Sequence, residues 1–148
     1  MFTSNNYVVV KNDDEIINDI YNPDFDLKTI ILEESPNIQV TSSHEPIKIP
    51  QIISYLPNTT VFKTNNDSNS ILFLSDAYST DWRAFIDNTE APIMRADYAF
   101  RAVAVPRGEH IIIFKYLPDS FKRGFSLTVF SIIGIILVSG WSVVRNKF

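Results

Sequence analysis

The sequence predicts a mainly β protein: an antiparallel β-sandwich or jelly-roll-like domain, preceded by a small strand–helix–strand unit and followed by one C-terminal transmembrane helix. Short β-rich runs recur between residues 37 and 120. Turn residues separate them about every ten positions, a spacing typical of sandwiches and barrels. The chain then runs from Phe125 to Val144 without a charge. As a helix of about 30 Å, that stretch matches the hydrocarbon core of a bilayer.

Residues 1–36 predict the small strand–helix–strand unit, which we expect to pack on the sandwich. The β-rich runs are YVVV at 7–10 and TIIL at 29–32. Between them, Asn12 is suited to cap a helix and is followed by acids that favour a first turn. Pro23 ends that helix.

Residues 37–120 predict the sandwich, and residues 121–148 predict the transmembrane helix with a short basic tail. The predicted strands are 38–41, 47–49, 52–56, 60–63, 71–75, 82–86, 98–104 and 109–116. The turn signals between them include Pro57-Asn58, the polar stretch 65–70, Asp87-Asn88 and Pro106 to Gly108.

Charge is distributed unevenly along the chain. Residues 1–45 hold nine acids and two lysines, whereas the rest holds eight acids and eleven Lys or Arg residues. No basic stripe forms, so nucleic acid is not a predicted partner. Basic residues flank the uncharged stretch, where they would meet lipid headgroups. The predicted membrane-interface residues are Lys122, Arg123, Trp141, Arg145 and Lys147.

The sequence contains no motif for catalysis or metal binding. There is no cysteine, which excludes disulfides and thiolate metal sites. The two histidines, His44 and His110, are far apart and lack ligand spacing. Four glycines form no phosphate-binding loop, and no G-x-S-x-G elbow is present. We therefore predict no catalytic residue, no metal and no cofactor.

One segment holds candidate contacts to a glycan: Tyr78, Trp82, Arg83 and Phe85. An aromatic ring exposed on a β-sandwich can stack on a sugar. A Trp on a sandwich strand is more often part of the core, because it buries so much apolar area. Both interpretations of Trp82 stay open from the sequence.

The N-terminal residues lack the positive region and the apolar region of a signal peptide. We expect either a tail-anchored protein or a piece of a longer chain whose earlier spans are missing. Two basic residues lie on each side of the uncharged stretch, so charge leaves its orientation open.

Several motifs follow one another in the second half of the chain. They are Tyr78-x-x-x-Trp82, Arg101-Ala102-Val103, Pro106-x-Gly108-x-His110 and Tyr116-x-Pro118, with Phe121 and Gly124 after them and PDFDLKTIILEE upstream. Together they resemble the C-terminal end of the YfhO family of bacterial membrane proteins. The chain departs from the usual family pattern at two turns, with Asp81 in place of Gly and Asp87-Asn88 in place of Asp-Gly.

The resemblance implies a cellular location and a function. It implies an extracytoplasmic β domain and a last span in a bacterial cell membrane, with a cytoplasmic C-terminus. YfhO-type proteins look like glycosyltransferases that use lipid-linked sugars for cell-envelope polymers, with catalytic acids in early loops. The chain would then be a non-catalytic module, whose partners are membrane lipid, N-terminal spans of the same or a neighbouring protein, and envelope glycan. A stand-alone membrane-anchored binding or scaffold module is the alternative.

Overall fold

A computed structural model describes residues 1–42 and 46–145, except for the side chains at 119, 122, 123 and 137–145. His44 and Lys147 therefore lie outside the described residues. Contacts divide the chain into two compact units, Met1–Leu117 and Pro118–Phe148.

The first unit consists mostly of β-strands. Its described elements, in order, are β1 (Phe2–Ser4), β2 (Tyr7–Val9), α1 (Asp13–Tyr21), β3 (Ile30–Leu32), β4 (Gln51–Leu56), β5 (Thr59–Asn66), β6 (Ser70–Ala77), β7 (Trp82–Ile86), β8 (Thr89–Ala91), β9 (Met94–Ala96), β10 (Phe100–Val105) and β11 (Gly108–Tyr116). The predicted mainly β class is confirmed.

These strands form two sheets. The six-stranded sheet has the order β1-β6-β10-β9-β3-β2, and the five-stranded sheet has the order β4-β5-β11-β7-β8. All described pairings are antiparallel except that of β2 with β3, which is parallel. A parallel pair needs a crossover connection, and α1 lies in that connection. Residues 1–36 thus supply three strands to the six-stranded sheet.

Apolar side chains from both sheets meet in one cluster, so the sheets pack face to face. The six-stranded sheet contributes Leu72, Leu74, Val103 and Val105, and the five-stranded sheet contributes Phe62, Ala84, Ile112 and Phe114. Alternate residues of the same two central strands, β6 and β10, enter a second cluster that also includes Val40. Because β6 and β10 are buried on both faces, each contains a continuous apolar run, residues 71–74 in β6 and 102–105 in β10, rather than an alternating pattern.

Some predicted strand boundaries differ from the structure. Residues 38–41 form no strand, and their alternation instead reflects Ile38 and Val40 packing on the second cluster. Tyr98 lies in a turn with a φ of 67°, so the strand begins at Phe100. β5 extends through Asn66, which shortens the predicted loop at 65–70.

The second unit contains the helix α2 (Asp119–Arg145). The hydroxyls of Thr128 and Ser131 donate to the carbonyls of Gly124 and Leu127, four residues earlier. Among the described residues, no helix has both the length and the hydropathy needed to cross a membrane. The transmembrane helix stays a prediction, and so do its interface residues, since the side chains of Lys122, Arg123, Trp141 and Arg145 are not described.

Candidate functional site

A buried arginine lies at the edge of the core between the sheets. Arg101 follows the alternation of β10, in which Val103 and Val105 face the five-stranded sheet. Its side chain is only 3% exposed, and its Nη2 lies 2.7 Å from Oδ2 of Asp76. The register between β10 and β6 shifts between Phe100 and Arg101. Such irregularities redirect side chains, and this one lies where Asp76 meets the guanidinium.

Aromatic rings complete the surroundings of this guanidinium. The Arg101 Cζ lies 3.8 Å from the centroid of the Trp82 ring and 5.4 Å from that of Phe114. The Trp82 ring in turn lies 5.3 Å from the Tyr116 ring and packs against the core between the sheets. Arginine is the cation best suited to such stacking, because its charge is delocalised and weakly hydrated.

Tyr55, on the edge strand β4, also bonds the Asp76 carboxylate. Its hydroxyl donates to Asp76, with the two carboxylate oxygens at 2.7 Å and 2.8 Å. That hydrogen bond raises the pKa of Tyr55, because a phenolate would face the negative carboxylate. Burial lowers the pKa of Arg101, while Asp76 opposes that shift. The guanidinium stays charged at any working pH.

A pocket of about 280 Å³ opens beside this ion pair. We call it the Arg101 pocket; its lining residues are Tyr55, Leu56, Pro57, Thr60, Asp76, Ala77, Trp82 and Arg101. Two buried polar atoms of its lining residues have no hydrogen-bond partner, Nε of Arg101 and Oγ1 of Thr60. Both atoms have almost no accessible surface. The pocket is a candidate binding site because its lining combines aromatic and apolar residues with a few polar groups, as small-molecule sites do.

A second pocket brings together three of the four predicted glycan contacts. This Tyr78 pocket measures about 270 Å³ and is lined by Tyr78, Ser79, Thr80, Trp82, Arg83, Glu90, Ala91, Pro92 and Ile93. Arg83 pairs there with Glu90 at 3.5 Å. Phe85 does not line the pocket, and its ring lies 5.6 Å from Nζ of Lys115. Trp82 lines both pockets.

His110 lies at a turn and makes two polar contacts. Its Nδ1 lies 2.6 Å from Oδ2 of Asp87, and its Nε2 lies 3.1 Å from the carbonyl of Arg107. Both ring nitrogens therefore face acceptors, which favours the imidazolium. The Asp87 hydrogen bond raises the pKa of His110, and the same bond lowers the pKa of Asp87. Among the residues that the structure describes, no group of three His, Asp or Glu side chains could hold a metal ion.

Comparison with known proteins gives one match. The family model described as "Bacterial membrane protein YfhO" matches residues 21–128. The chain belongs to the YfhO family. No curated protein and no solved structure matches it. The matched range of this YfhO chain begins at the last residue of α1 and ends within α2, so it includes both pockets. The predicted family resemblance is confirmed.

Sequence reasoning missed the Arg101 pocket of this YfhO chain. The available signal was a cation at an inward-facing position of an otherwise apolar strand, FRAVAV. A charge at a buried position needs a partner. Asp76, Tyr55 and Thr60 come from three other strands, and nothing in their local sequence marks them as that arginine's neighbours.

Proposed function

We propose that the chain is the non-catalytic C-terminal extracytoplasmic module and last span of a YfhO-type membrane protein. In this proposal the full-length protein is a glycosyltransferase that uses lipid-linked sugars in cell-envelope polymer synthesis. The observation that carries the proposal is the family match, which continues from the sheets into the first part of α2. The uncharged stretch that follows supports a membrane location for α2.

The polar groups of the two sheets support a binding role rather than a catalytic one. Asp76 is held by Arg101 and Tyr55, and His110 is held by Asp87. Each group is thus engaged in a local contact, and neither lies within a nucleophile–base pair of the kind that acyl or glycosyl transfer uses.

Contact with envelope glycan is the second part of the proposal. Tyr78, Trp82 and Arg83 line one open pocket, where rings could stack on sugar faces and polar groups could bond hydroxyls. We keep Phe85 as a separate candidate, because it lies outside that pocket.

Cysteine labelling tests the proposed topology. The chain has no cysteine, so each introduced cysteine is a unique label. Leu27→Cys places the label at an 81% exposed position of the first unit, and Asn146→Cys places it in the C-terminal tail. In the bacterium that produces the chain, a membrane-impermeant maleimide should label Leu27→Cys in intact cells and Asn146→Cys only after permeabilisation. The opposite pattern contradicts the topology, and recovery of both variants in the soluble fraction contradicts the span.

Glycan contact is tested with a variant of the Tyr78 pocket. In a Trp141→Phe background, Trp82 is the one remaining Trp and its fluorescence reports on the pocket. Tyr78→Ala should weaken the response to a soluble N-acetylglucosamine oligosaccharide by about three- to tenfold, the effect of losing one aromatic contact. Tyr21→Ala, at a tyrosine that is 82% exposed and lies outside the pocket, is the matched control and should leave affinity unchanged. Equal affinities for Tyr78→Ala and the parent chain would exclude this pocket.

A further inference from the structure

We propose that the exposed apolar end of the β4–β5 hairpin contacts the surface of a phospholipid bilayer. The surface in question, which we call the hairpin patch, consists of the exposed side chains of Ile52, Ile53, Tyr55, Leu56, Pro57 and Leu117. The inference rests on the proposed membrane location of α2, and it adds a lipid contact that the β-strands themselves make.

Exposed apolar side chains follow one another along β4. Between 52% and 58% of each of the side chains of Ile52, Ile53, Tyr55 and Leu56 is exposed. No charged residue occurs from Ile49 to Asn58. Single exposed apolar side chains are ordinary, whereas contiguous ones mark a surface that binds another apolar surface. The hairpin patch is therefore a candidate contact surface.

The hairpin patch lies beside the point where the chain leaves the first unit. The backbone N–H of Tyr116 donates to the carbonyl of Asn58, in the turn between β4 and β5, and that of Leu117 donates to the carbonyl of Asp81. Residues 118–124 then lead to the uncharged stretch, and a chain of that length reaches at most about 25 Å. A bilayer that holds the uncharged stretch is therefore within reach of this end of the sheet.

The backbone of β4 is poorly suited to pairing with a further strand. An edge strand such as β4 is a ready template for strand addition. Here, however, the register with β5 shifts between Ile52 and Ser54, and Pro50 and Pro57 stand on either side of the strand. Bulges and prolines are features that keep edge strands from adding another strand. Contact is thus left to the side chains, which favours a lipid surface over a second copy paired through β4.

The outer face of the same sheet adds a cation at this end. Leu56 is opposite Thr59, and Thr59 is opposite Lys115 on the next strand. Lys115 is exposed and forms no ion pair with any residue that the structure describes. A lysine beside apolar side chains can reach headgroup phosphates while those side chains enter the acyl region. Because the carboxylates of Asp76 and Asp81 also lie near this end, bonded to tyrosine hydroxyls, we expect only a modest preference for anionic lipid.

Fluorescence quenching by nitroxide-labelled lipids tests the inference on the full chain in phosphatidylcholine vesicles. The chain has no cysteine, so an introduced cysteine carries a unique fluorophore. Asn58→Cys places it beside the last residue of β11, and Arg107→Cys places it just before the first. Lipids with the nitroxide near the headgroup should quench the label at Asn58→Cys and leave the label at Arg107→Cys unquenched. Ile133→Cys, in α2, reports separately on the span through lipids with a deep nitroxide.

Leu56→Ser is the decisive variant. It should lower the equilibrium constant for docking about tenfold, the effect of withdrawing one leucine from apolar surroundings, and the quenching at Asn58→Cys should fall with it. Ile49→Ser is the matched control, because Ile49 is 80% exposed and precedes the other end of β4. Both side chains are exposed, so both variants should keep the melting temperature of the parent chain. Lys115→Gln should reduce the additional quenching that phosphatidylglycerol produces.

Several results would overturn the inference. An unquenched label at Asn58→Cys with a quenched label at Ile133→Cys sinks the lipid contact and leaves the proposed span standing, whereas two unquenched labels contradict the span as well. Equal quenching at Asn58→Cys with and without Leu56→Ser also excludes the hairpin patch. Shielding of that label from aqueous iodide without quenching by lipid assigns the patch to a protein partner instead, which is a second copy if the shielding rises with the protein-to-lipid ratio.

Discussion

Arg101 is a buried cation in a strand whose following residues are apolar. Transfer of such a charge out of water costs several kcal/mol after relaxation, which a single ion pair offsets only in good geometry. Here the guanidinium has a carboxylate at 2.7 Å and an indole ring at 3.8 Å. Its Nε nevertheless stays without a partner. The buried ion pair is therefore weak evidence for stability, whereas loss of Asp76 would leave an uncompensated charge in the core.

His110 gives the first unit a pH-dependent contact. Its pKa is raised in the folded state above the ordinary value of about 6.5. The imidazolium therefore contributes stability that is fully present below about pH 6.5 and is lost as the pH rises through the folded pKa. The Asp87 side chain is 52% exposed, so screening limits the contribution to about 0.5–1 kcal/mol.

His110→Gln measures that contribution. We expect the variant to be less stable than the parent chain by about 0.5–1 kcal/mol at about pH 6, with the difference shrinking toward about pH 9. Chemical denaturation at several pH values reports it. Lys63→Gln, which breaks the ion pair of Lys63 with Glu109 on the same strand pair, should show no such trend. A difference that stays constant across this range would contradict the assignment.

The turn between β7 and β8 depends on backbone geometry that few residues adopt. Asp87 has a φ of 48° and Asn88 a φ of 70°. Two successive left-handed residues define the type I′ turn, which matches the twist of a hairpin. The Asp87 carboxylate also accepts from the Ile111 backbone N–H at 2.9 Å, so this turn is joined to β11.

Substitution at Asn88 tests the turn. Asn88→Gly gives this turn the Asp-Gly pair that is usual in the YfhO family. It should raise the free energy of unfolding by a few tenths of a kcal/mol. Glycine adopts this φ without strain but gains more entropy in the unfolded chain. Asn88→Ala should lower the free energy of unfolding by about 1 kcal/mol, because a Cβ disfavours the left-handed region. Urea denaturation measures both, and equal stability of the two variants would rule out this explanation.

Short and irregular elements were the hardest to predict. β1, β8 and β9 have three residues each, too few to display an alternation. Their sequences, FTS, TEA and MRA, also lack the apolar β-branched runs that marked the equally short β2 and β3. Conversely, Ile38 and Val40 alternate because they pack on a sheet, although they pair with no strand. The longer strands β6, β7 and β11 were predictable, since packing on the core and sequence pattern agree there.

The two-sheet arrangement follows from local patterns, but its pairings do not. Phe2 is opposite Phe73 and Leu32 is opposite Ala96, partners that no local pattern relates. Pairs of this kind bring residues 1–36 into the same sheet as β6 and β10. The Arg101 pocket has the same origin, because its walls come from β4, β5, β6, β7 and β10. Local sequence therefore predicted Tyr78, Trp82 and Arg83 as neighbours, but it could not predict Asp76 with Arg101.

Trp82 is a wall of both pockets, and this has a thermodynamic consequence. A ligand that fixes the orientation of Trp82 in one pocket also fixes the surface that Trp82 offers to the other pocket. Linkage makes such an effect reciprocal: the factor by which the first ligand changes the affinity of the second equals the factor by which the second changes that of the first. Two ligands that each contact Trp82, or two residues of one branched glycan, would then bind cooperatively or compete.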